Sequence, residues 1–253
     1  MDNHWGTRMK DSRYDFIYEQ EESHWWYRVR RKIVKKIIQG FADERQEPLN
    51  ILDIGCGAGA LMQELEIFGT VSGVDVSPRA VEYCKARGIT NVVEADAAQL
   101  PFPDASFDIV VMLDVLEHLK DDTAGSREVA RVLKCGGHAI IAVPAFMFLW
   151  SVTDVVSHHF RRYTRRELVQ RLTDAGLSIQ YSGYFNTFLF PLIACVRLVV
   201  RALHLPMQNE QGTGGRIGNA IFYSIFSLES LFIPLVRFPF GVSVVSIAKK
   251  PSL

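Results

Sequence analysis

The sequence predicts an α/β fold: a doubly wound, seven-stranded, mostly parallel sheet with helices on both faces. Three observations carry that expectation. The stretch Asn50-Ile51-Leu52-Asp53-Ile54-Gly55-Cys56-Gly57-Ala58-Gly59 runs from a short apolar segment into three alternate glycines, and a helical pattern follows (Leu61, Met62, Leu65, Phe68). Strand, glycine turn and helix in that order form the context of a nucleotide-binding turn, because glycine bends sharply and the helix start offers free N–H groups. Short apolar runs then alternate with helical patterns, as in right-handed parallel βαβ units. Two of those runs end on or beside a carboxylate, Asp75 and Asp96.

Taken in order, residues 1–48 read as an N-terminal helical cap. A short helix is expected over 14–22, then a basic amphipathic helix from Trp26 with Val29, Ile33, Ile37 and Phe41 at helical spacing. The adjacent Trp25 and Trp26 suit an apolar surface that closes a pocket, since each ring has a polar edge. Packing on the domain edge would use the same pattern without a pocket. The core, 49–184, carries strands near 50–54, 70–75, 91–95, 107–112, 137–143 and 177–184, with helices near 59–68, 77–87, 123–134 and 165–175. Ser77-Pro78 reads as a helix start, Thr164 with Glu167 as a capping box, and Gly136-Gly137 as a helix end leading into the fifth strand. Residues 241–253 hold the last strand, 241–248, and the tail.

Residues 185–240 form a hydrophobic helical insertion, far longer than an ordinary connection. Two apolar stretches, 185–205 and 217–240, flank a polar, glycine-rich link at 208–216. Arg197, Arg201, Glu229 and Arg237 inside them count against bilayer spans. A helical hairpin is expected, serving as a substrate lid, a dimer interface or a membrane-surface element. Arg197 and Arg201 lie one turn apart beside Phe, Leu and Ile, a pattern suited to anionic headgroups. A plain soluble helical subdomain fits equally.

The 253 residues balance 28 basic against 28 acidic side chains, which argues against a nucleic acid partner. Cys56, Cys84, Cys135 and Cys195 have neither metal nor disulfide spacing and read as reduced thiols. With a polar opening unlike a signal peptide, the expected location is cytoplasmic, with peripheral attachment at the inner face of a membrane if the insertion meets lipid. The oligomeric state is not legible.

Four segments, ILDIGCGAG (51–59), GVDVSPRAVEYC (73–84), EADAAQLPFPDASFDIVVMLDVLEHL (94–119) and VLKCGGHAIIAVP (132–144), carry a family resemblance. In their order and spacing over about residues 49–180 the chain resembles the class I S-adenosylmethionine (SAM) dependent methyltransferases. The resemblance implies a Rossmann-like sheet with an antiparallel last strand, SAM as cofactor and S-adenosylhomocysteine as product. It places Asp53, Gly55, Gly57, Asp75, Val76, Asp96, Ala97 and Leu113 around the cofactor. Asp75 would accept from the ribose hydroxyls, Asp96 from the adenine amino group, and Asp53 would face the cationic methionine end. Related enzymes often close the site with an N-terminal helix, from which Arg28 or Arg31 would meet the cofactor carboxylate. A nicotinamide-binding dehydrogenase is the competing reading, but its glycines follow GxGxxG, whereas these follow GxGxG.

Chemistry is expected just beyond the fourth strand, at residues 113–118, because ligands bind outside the carboxyl ends of parallel strands. His118 and His159 are the candidate general bases for a hydroxyl or acidic carbon acceptor; a structural role for Glu117 and His118 fits equally. No metal is assigned. The alternative is Asp114, Glu117 and His118, which resemble the Glu-x-x-Glu-His segment of ubiquinone-pathway O-methyltransferases associated with a divalent ion. Here the first acid is one carbon shorter. The segment from Trp150 to Leu168 resembles W-S-x-x-D-x-x-x-x-H-x-R-R-Y-T-R-x-E-L of a bacterial subgroup. Substrate contacts are expected at Trp26, Asp154, Arg161, Arg162 and Tyr163, the guanidinium groups suiting a carboxylate or phosphate. The alternative is a solvated basic face. The expected function is methyl transfer to oxygen or carbon of a small or lipid-like acceptor. A non-catalytic SAM-binding scaffold docked through its hairpin is the other class.

Overall fold

The computed structural model describes residues 11–203 and 215–252. Its strands are β1 (Leu49–Ile54), β2 (Gly69–Asp75), β3 (Val92–Glu94), β4 (Phe107–Leu113), β5 (Leu133–Pro144), β6 (Ser178–Phe185) and β7 (Ser243–Lys249). They form one seven-stranded sheet in the order β3-β2-β1-β4-β5-β7-β6. β1 pairs in parallel with β2 and β4, and the chain winds outward in opposite directions from that point. The crevice where strand order reverses is where such sheets take ligands. β7 runs antiparallel to both β5 and β6.

Helices α1 (Asp11–Gln20), α2 (Trp25–Asp43), α3 (Ala60–Leu65), α4 (Pro78–Ala86), α5 (Asp122–Val132), α6 (Val152–Val156), α7 (Arg165–Asp174), α8 (Phe190–Ala202) and α9 (Gly215–Ser230) complete the fold. Alternate residues of each central strand point to opposite faces. Ile51 joins Val29, Ile33 and Ile37 of α2 on one side, while Leu52 and Ile54 join Val129 and Val132 of α5 on the other. Both faces are covered, so β4 is buried throughout and reads as an apolar run from Ile109 onward, with Asp108 near its start.

Three local expectations are corrected. α5 ends at Val132, and Gly136 and Gly137 lie inside β5. The pairing with β4 shifts register there, between Phe107 and Ile109. A Cβ on Gly137 would stand 2.9 Å from the carbonyls of Asp108 and Lys134, so the glycine serves a bulge and not a helix end. Ser77 occupies the N-cap of α4, yet its side chain makes no capping bond; its backbone N–H instead donates to Asp75 Oδ1 at 2.9 Å. The insertion helices are shorter than their apolar runs. α8 starts only at Phe190, after a turn through Asn186 with φ +57°, and α9 ends at Ser230, before Pro234 and Pro239. The end of the first apolar run and most of the 208–216 link lie outside the described residues. No described helix is long and apolar enough to cross a membrane. The Thr164–Glu167 capping box is present, Thr164 N donating to Glu167 Oε2 at 2.7 Å.

Candidate functional site

The carboxyl ends of β1, β2 and β4 open into one cavity of about 1160 Å³, roofed by α1, α2 and the insertion. The glycine turn lines it through Gly55, Cys56 and Gly57. Gly55 has φ +73°, and a Cβ there would fall 2.3 Å from Val115, so only glycine fits. The turn is held by Asp75, whose Oδ2 accepts from Gly57 N at 3.0 Å and whose Oδ1 accepts from Ser77 N and from Tyr14 Oη, the latter at 3.2 Å. Asp53, Gly55, Gly57, Asp75, Val76, Asp96, Ala97 and Leu113 all line the cavity. Asp96 Oδ1 accepts from Ala98 N at 2.8 Å, which shapes the loop after β3.

Asp53 is buried, and desolvation pushes its carboxyl up to about 7, with Arg30 opposing and Asp75 and Glu21 reinforcing the rise. Burial likewise pushes Glu21 up to about 7 against the pull of Arg87 and Arg31. Glu21 belongs to a latch between the cap and α4: Arg87 pairs with both Glu21 and Glu22 at 2.7 Å, and Tyr18 stacks on Tyr83 at 4.1 Å between centroids.

Of the two arginines expected at the cofactor carboxylate, Arg28 lies 4.2 Å from the Tyr223 ring, while Arg31 lines the cavity and pairs with Glu64 at 2.7 Å. Arg30 lines it too and bonds Asp114. One signal was available: Arg30 follows Trp26 by four residues and so shares its helix face. Trp26 lines the cavity and stacks against Phe185 at 5.8 Å and Phe226 at 5.5 Å, which ties the cap to the insertion.

On the same cavity Glu117, His118 and His159 converge, with ligand-type atoms all within 4.8 Å of one another. This is the one such metal-capable set among the described residues, and it differs from the sequence expectation because Asp114 is engaged by Arg30. The imidazoles of His118 and His159 meet edge to face at 4.5 Å. His159 Nδ1 bonds Asp154 Oδ1 at 2.8 Å. Desolvation pushes His118 down to about 3, with His159 adding to the shift, so its ring is neutral at physiological pH. Glu117 is fully buried, and neither carboxyl oxygen reaches a donor on another residue. Burial and the nearby Asp114 raise it well above the usual range.

The segment from Asp154 to Tyr163 does not form an open anion site. Asp154 has no exposure; despite the cost of burial, the His159 and Arg162 bonds hold it well below the usual carboxylate range. Arg162 grips it with Nε at 2.8 Å and Nη2 at 2.9 Å and also donates to Ala145 O. Arg161 pairs with Asp122 at 2.9 Å, and Tyr163 Oη donates to the same carboxylate at 2.8 Å. A buried carboxylate needs such partners, so these groups secure the loop, though Arg162 also lines the cavity.

The insertion supplies wall residues that the sequence did not single out: Leu189, Leu192, Ile193, Val196 and Phe222. It also fixes Asn186, which is buried, lines the cavity and leaves both amide atoms without partners. Glu229 of α9 holds that turn by accepting from Thr187 N at 2.6 Å and Phe188 N at 3.1 Å.

Fold and crevice together define a Rossmann-like protein with a glycine turn and a polar cluster on one cavity. Residues 52–141 match the methyltransferase-domain family. A probable SAM-dependent methyltransferase of Mycobacterium tuberculosis is 30% identical over 175 residues, covering 67% of this chain and 62% of that one. A ubiquinone biosynthesis O-methyltransferase of Xanthomonas oryzae is 28% identical, over 51% of this chain and 63% of that one. The chain thus spans just over three-fifths of the length of these relatives, 62% and 63%. Among solved structures, a complex of the Haloferax volcanii Trm112 activator with a methyltransferase matches with TM-score 0.60 at 20% identity, over 96% of this chain and 95% of that chain. A SAM-dependent methyltransferase of Thermotoga maritima matches with TM-score 0.59 at 18% identity, over 94% and 95% respectively. These two share the fold. Residues 52–141 thus carry a methyltransferase domain of the class I SAM-dependent kind, whose cofactor is SAM.

Proposed function

We propose that this protein transfers the methyl group of SAM to a hydroxyl oxygen or acidic carbon of a small acceptor with an apolar body. The observation that supports this most is the sharing of one cavity by Asp53, Asp75 and Asp96 with Glu117, His118 and His159, alongside apolar wall residues of α8 and α9. When bound, SAM supplies an electrophilic methyl on a sulfonium. Asp75 and Asp96 bind the nucleoside part, and Asp53 with Arg30 meets the charged amino-acid part. Trp26, Leu189 and Ile193 exclude water and align the acceptor. Asp53, Asp75 and Asp96 would hold SAM so that its methyl carbon passes to the acceptor atom, the sulfur–carbon bonding pair going to sulfur. His159, oriented through Nδ1 by Asp154, takes the acceptor's proton on Nε2. His118 stays neutral and orients the acceptor, because a ring held near 3 cannot carry a proton at neutral pH. The Glu117 carboxyl and the Asn186 amide, both without partners, offer hydrogen bonds to the acceptor.

The test is S-adenosylhomocysteine release from SAM in the presence of fractionated small molecules and lipids, with the methylated product identified by mass. Acceptor-dependent release is expected. SAM binding with no transfer to any fraction would favour the scaffold reading.

The cavity also predicts a pH dependence of SAM binding. Because Asp53 titrates near 7 in the empty site, its carboxylate must lose a proton to face the cofactor's ammonium. Affinity should therefore rise as pH increases through about 7. It should level off near pH 8, where a free α-amino group itself deprotonates at about 7.7–8.0. In Asp53→Asn the rise should vanish in calorimetry; a wild-type affinity flat from pH 6 to 8 would remove Asp53 from this role. The sign for folding is opposite. The raised carboxyls of Asp53 and Glu21 stabilise the empty protein below about pH 4, and that stability is lost as pH climbs through 7.

A further inference from the structure

The Glu117 side chain is fully buried, yet neither of its carboxyl oxygens has a hydrogen-bond partner. A buried carboxylate without donors is costly, and a paired charge or a bound metal ion is the usual compensation. Two imidazoles stand within reach of it. One ligand-type atom from each of Glu117, His118 and His159 lies within 4.8 Å of the other two. Atoms bound to zinc at about 2.0–2.2 Å in a tetrahedron stand roughly 3.4 Å apart, so the three side chains need only a small approach to share an ion. All three line the cavity, which leaves room for a further ligand.

The groups behind this cluster orient it. His159 commits Nδ1 to Asp154 Oδ1 at 2.8 Å, which leaves Nε2 as the nitrogen free to bind. Asp154 is itself fixed by Arg162, through Nε at 2.8 Å and Nη2 at 2.9 Å. A carboxylate on the far nitrogen of an imidazole sets its tautomer and raises its basicity as a metal ligand. The nearest guanidinium groups already meet counter-charges, Arg162 at Asp154 and Arg30 at Asp114. Asp114 is thereby withdrawn from the cluster, and His159, from the loop after β5, supplies the third position. Around the whole cavity acids outnumber lysines and arginines seven to six, so the lining as a whole does not repel a cation.

We infer that Glu117, His118 and His159 bind a divalent transition-metal ion of the zinc type, through one carboxyl oxygen and two imidazole nitrogens. That donor set suits zinc, whereas magnesium takes oxygen ligands and keeps its waters. The binding site does not depend on the methyltransferase reading, but its consequence rests on it. The ion occupies the His159 Nε2 lone pair that the acceptor's proton needs, so zinc inhibits methyl transfer and its removal restores it.

The test is calorimetry of the full chain, first stripped with a chelator, against zinc chloride, with magnesium chloride as the comparison. One zinc per chain is expected, with a Kd of about 1 μM or tighter, and no heat from magnesium. Glu117→Gln and His118→Ala should each weaken zinc binding by more than about hundredfold, and Asp154→Asn, which alters only the outer partner, by about 10- to 100-fold. His158→Asn, beside His159 in sequence but outside the cluster, should leave zinc binding unchanged. Thermal melting of each variant checks that it is folded; should His118→Ala fail to fold, Glu117→Gln decides, since it keeps the shape of the side chain. The inference is overturned if the wild type takes up no zinc, if magnesium binds as tightly, or if Glu117→Gln binds zinc as the wild type does. Zinc binding lost in Glu117→Gln, together with acceptor-dependent S-adenosylhomocysteine release that zinc leaves untouched, would remove His159 from the role of base and leave the metal site standing.

Discussion

Asp75→Ala is expected to weaken SAM binding by about 10- to 150-fold, the equivalent of one charge-assisted hydrogen bond of about 1.5–3 kcal/mol. The effect has two sources. The carboxylate stands at the end of β2 beside the glycine turn, where ribose hydroxyls would donate to it. It also anchors the turn itself through Gly57 N at 3.0 Å and Ser77 N at 2.9 Å. Removing it leaves those N–H groups to water and lets the loop relax from the conformation that admits the cofactor. Asp75→Asn separates the sources: the amide oxygen can still accept from one N–H, but the charge is gone. Calorimetry with SAM and S-adenosylhomocysteine reads both variants. An Asp75→Ala affinity within about threefold of wild type would show that the nucleoside lies elsewhere.

That prediction was legible from sequence because the relevant geometry is local. An apolar run ending in a carboxylate places that carboxylate at the ligand edge of a parallel sheet, whatever the rest of the chain does. The same logic located Asp53, Asp96 and Leu113 on the cavity wall. Element boundaries were legible where a single residue sets them, as at the Thr164–Glu167 capping box. They were not legible where a distant contact sets them. Gly136 and Gly137 look like a helix stop, yet they accommodate the carbonyls of Asp108 and Lys134 within a bulged strand.

The acceptor end was less legible for the same reason. Whether Arg161, Arg162 and Tyr163 face a substrate depends on where Asp122 and Asp154 lie. The Tyr163–Asp122 bond spans 41 residues, and the arginines are consumed before any ligand arrives. Arg30 was not singled out beside Arg31 because the phase of α2 against the sheet is fixed by packing of Val29, Ile33 and Ile37, which sequence spacing shows only as a face without a direction. Asn186 carries no motif. Its place follows from Glu229, a carboxylate on another helix, holding the turn in a left-handed conformation that asparagine tolerates.

His159→Ala is expected to lower turnover by about 10²- to 10⁴-fold, the range for a positioned general base, with SAM affinity unchanged. Both histidines stand in the cavity, but only His159 has a carboxylate on its far nitrogen to stabilise the charge that develops when a proton arrives. His118 lies in the opposite situation, neutral and held near 3 by burial beside another imidazole. His118→Ala should accordingly act mainly on KM for the acceptor, and His159→Ala on kcat. Asp154→Asn provides the positioning control: it keeps the shape, removes the charge that orients His159, and should lower kcat by less than His159→Ala does. It also leaves Arg162 buried without a full counter-charge, so its thermal stability must be measured beside its rate. Full turnover in both histidine variants would mean that alignment alone drives the transfer. The Asp154–His159 pair would then be no more than part of the loop's internal scaffolding.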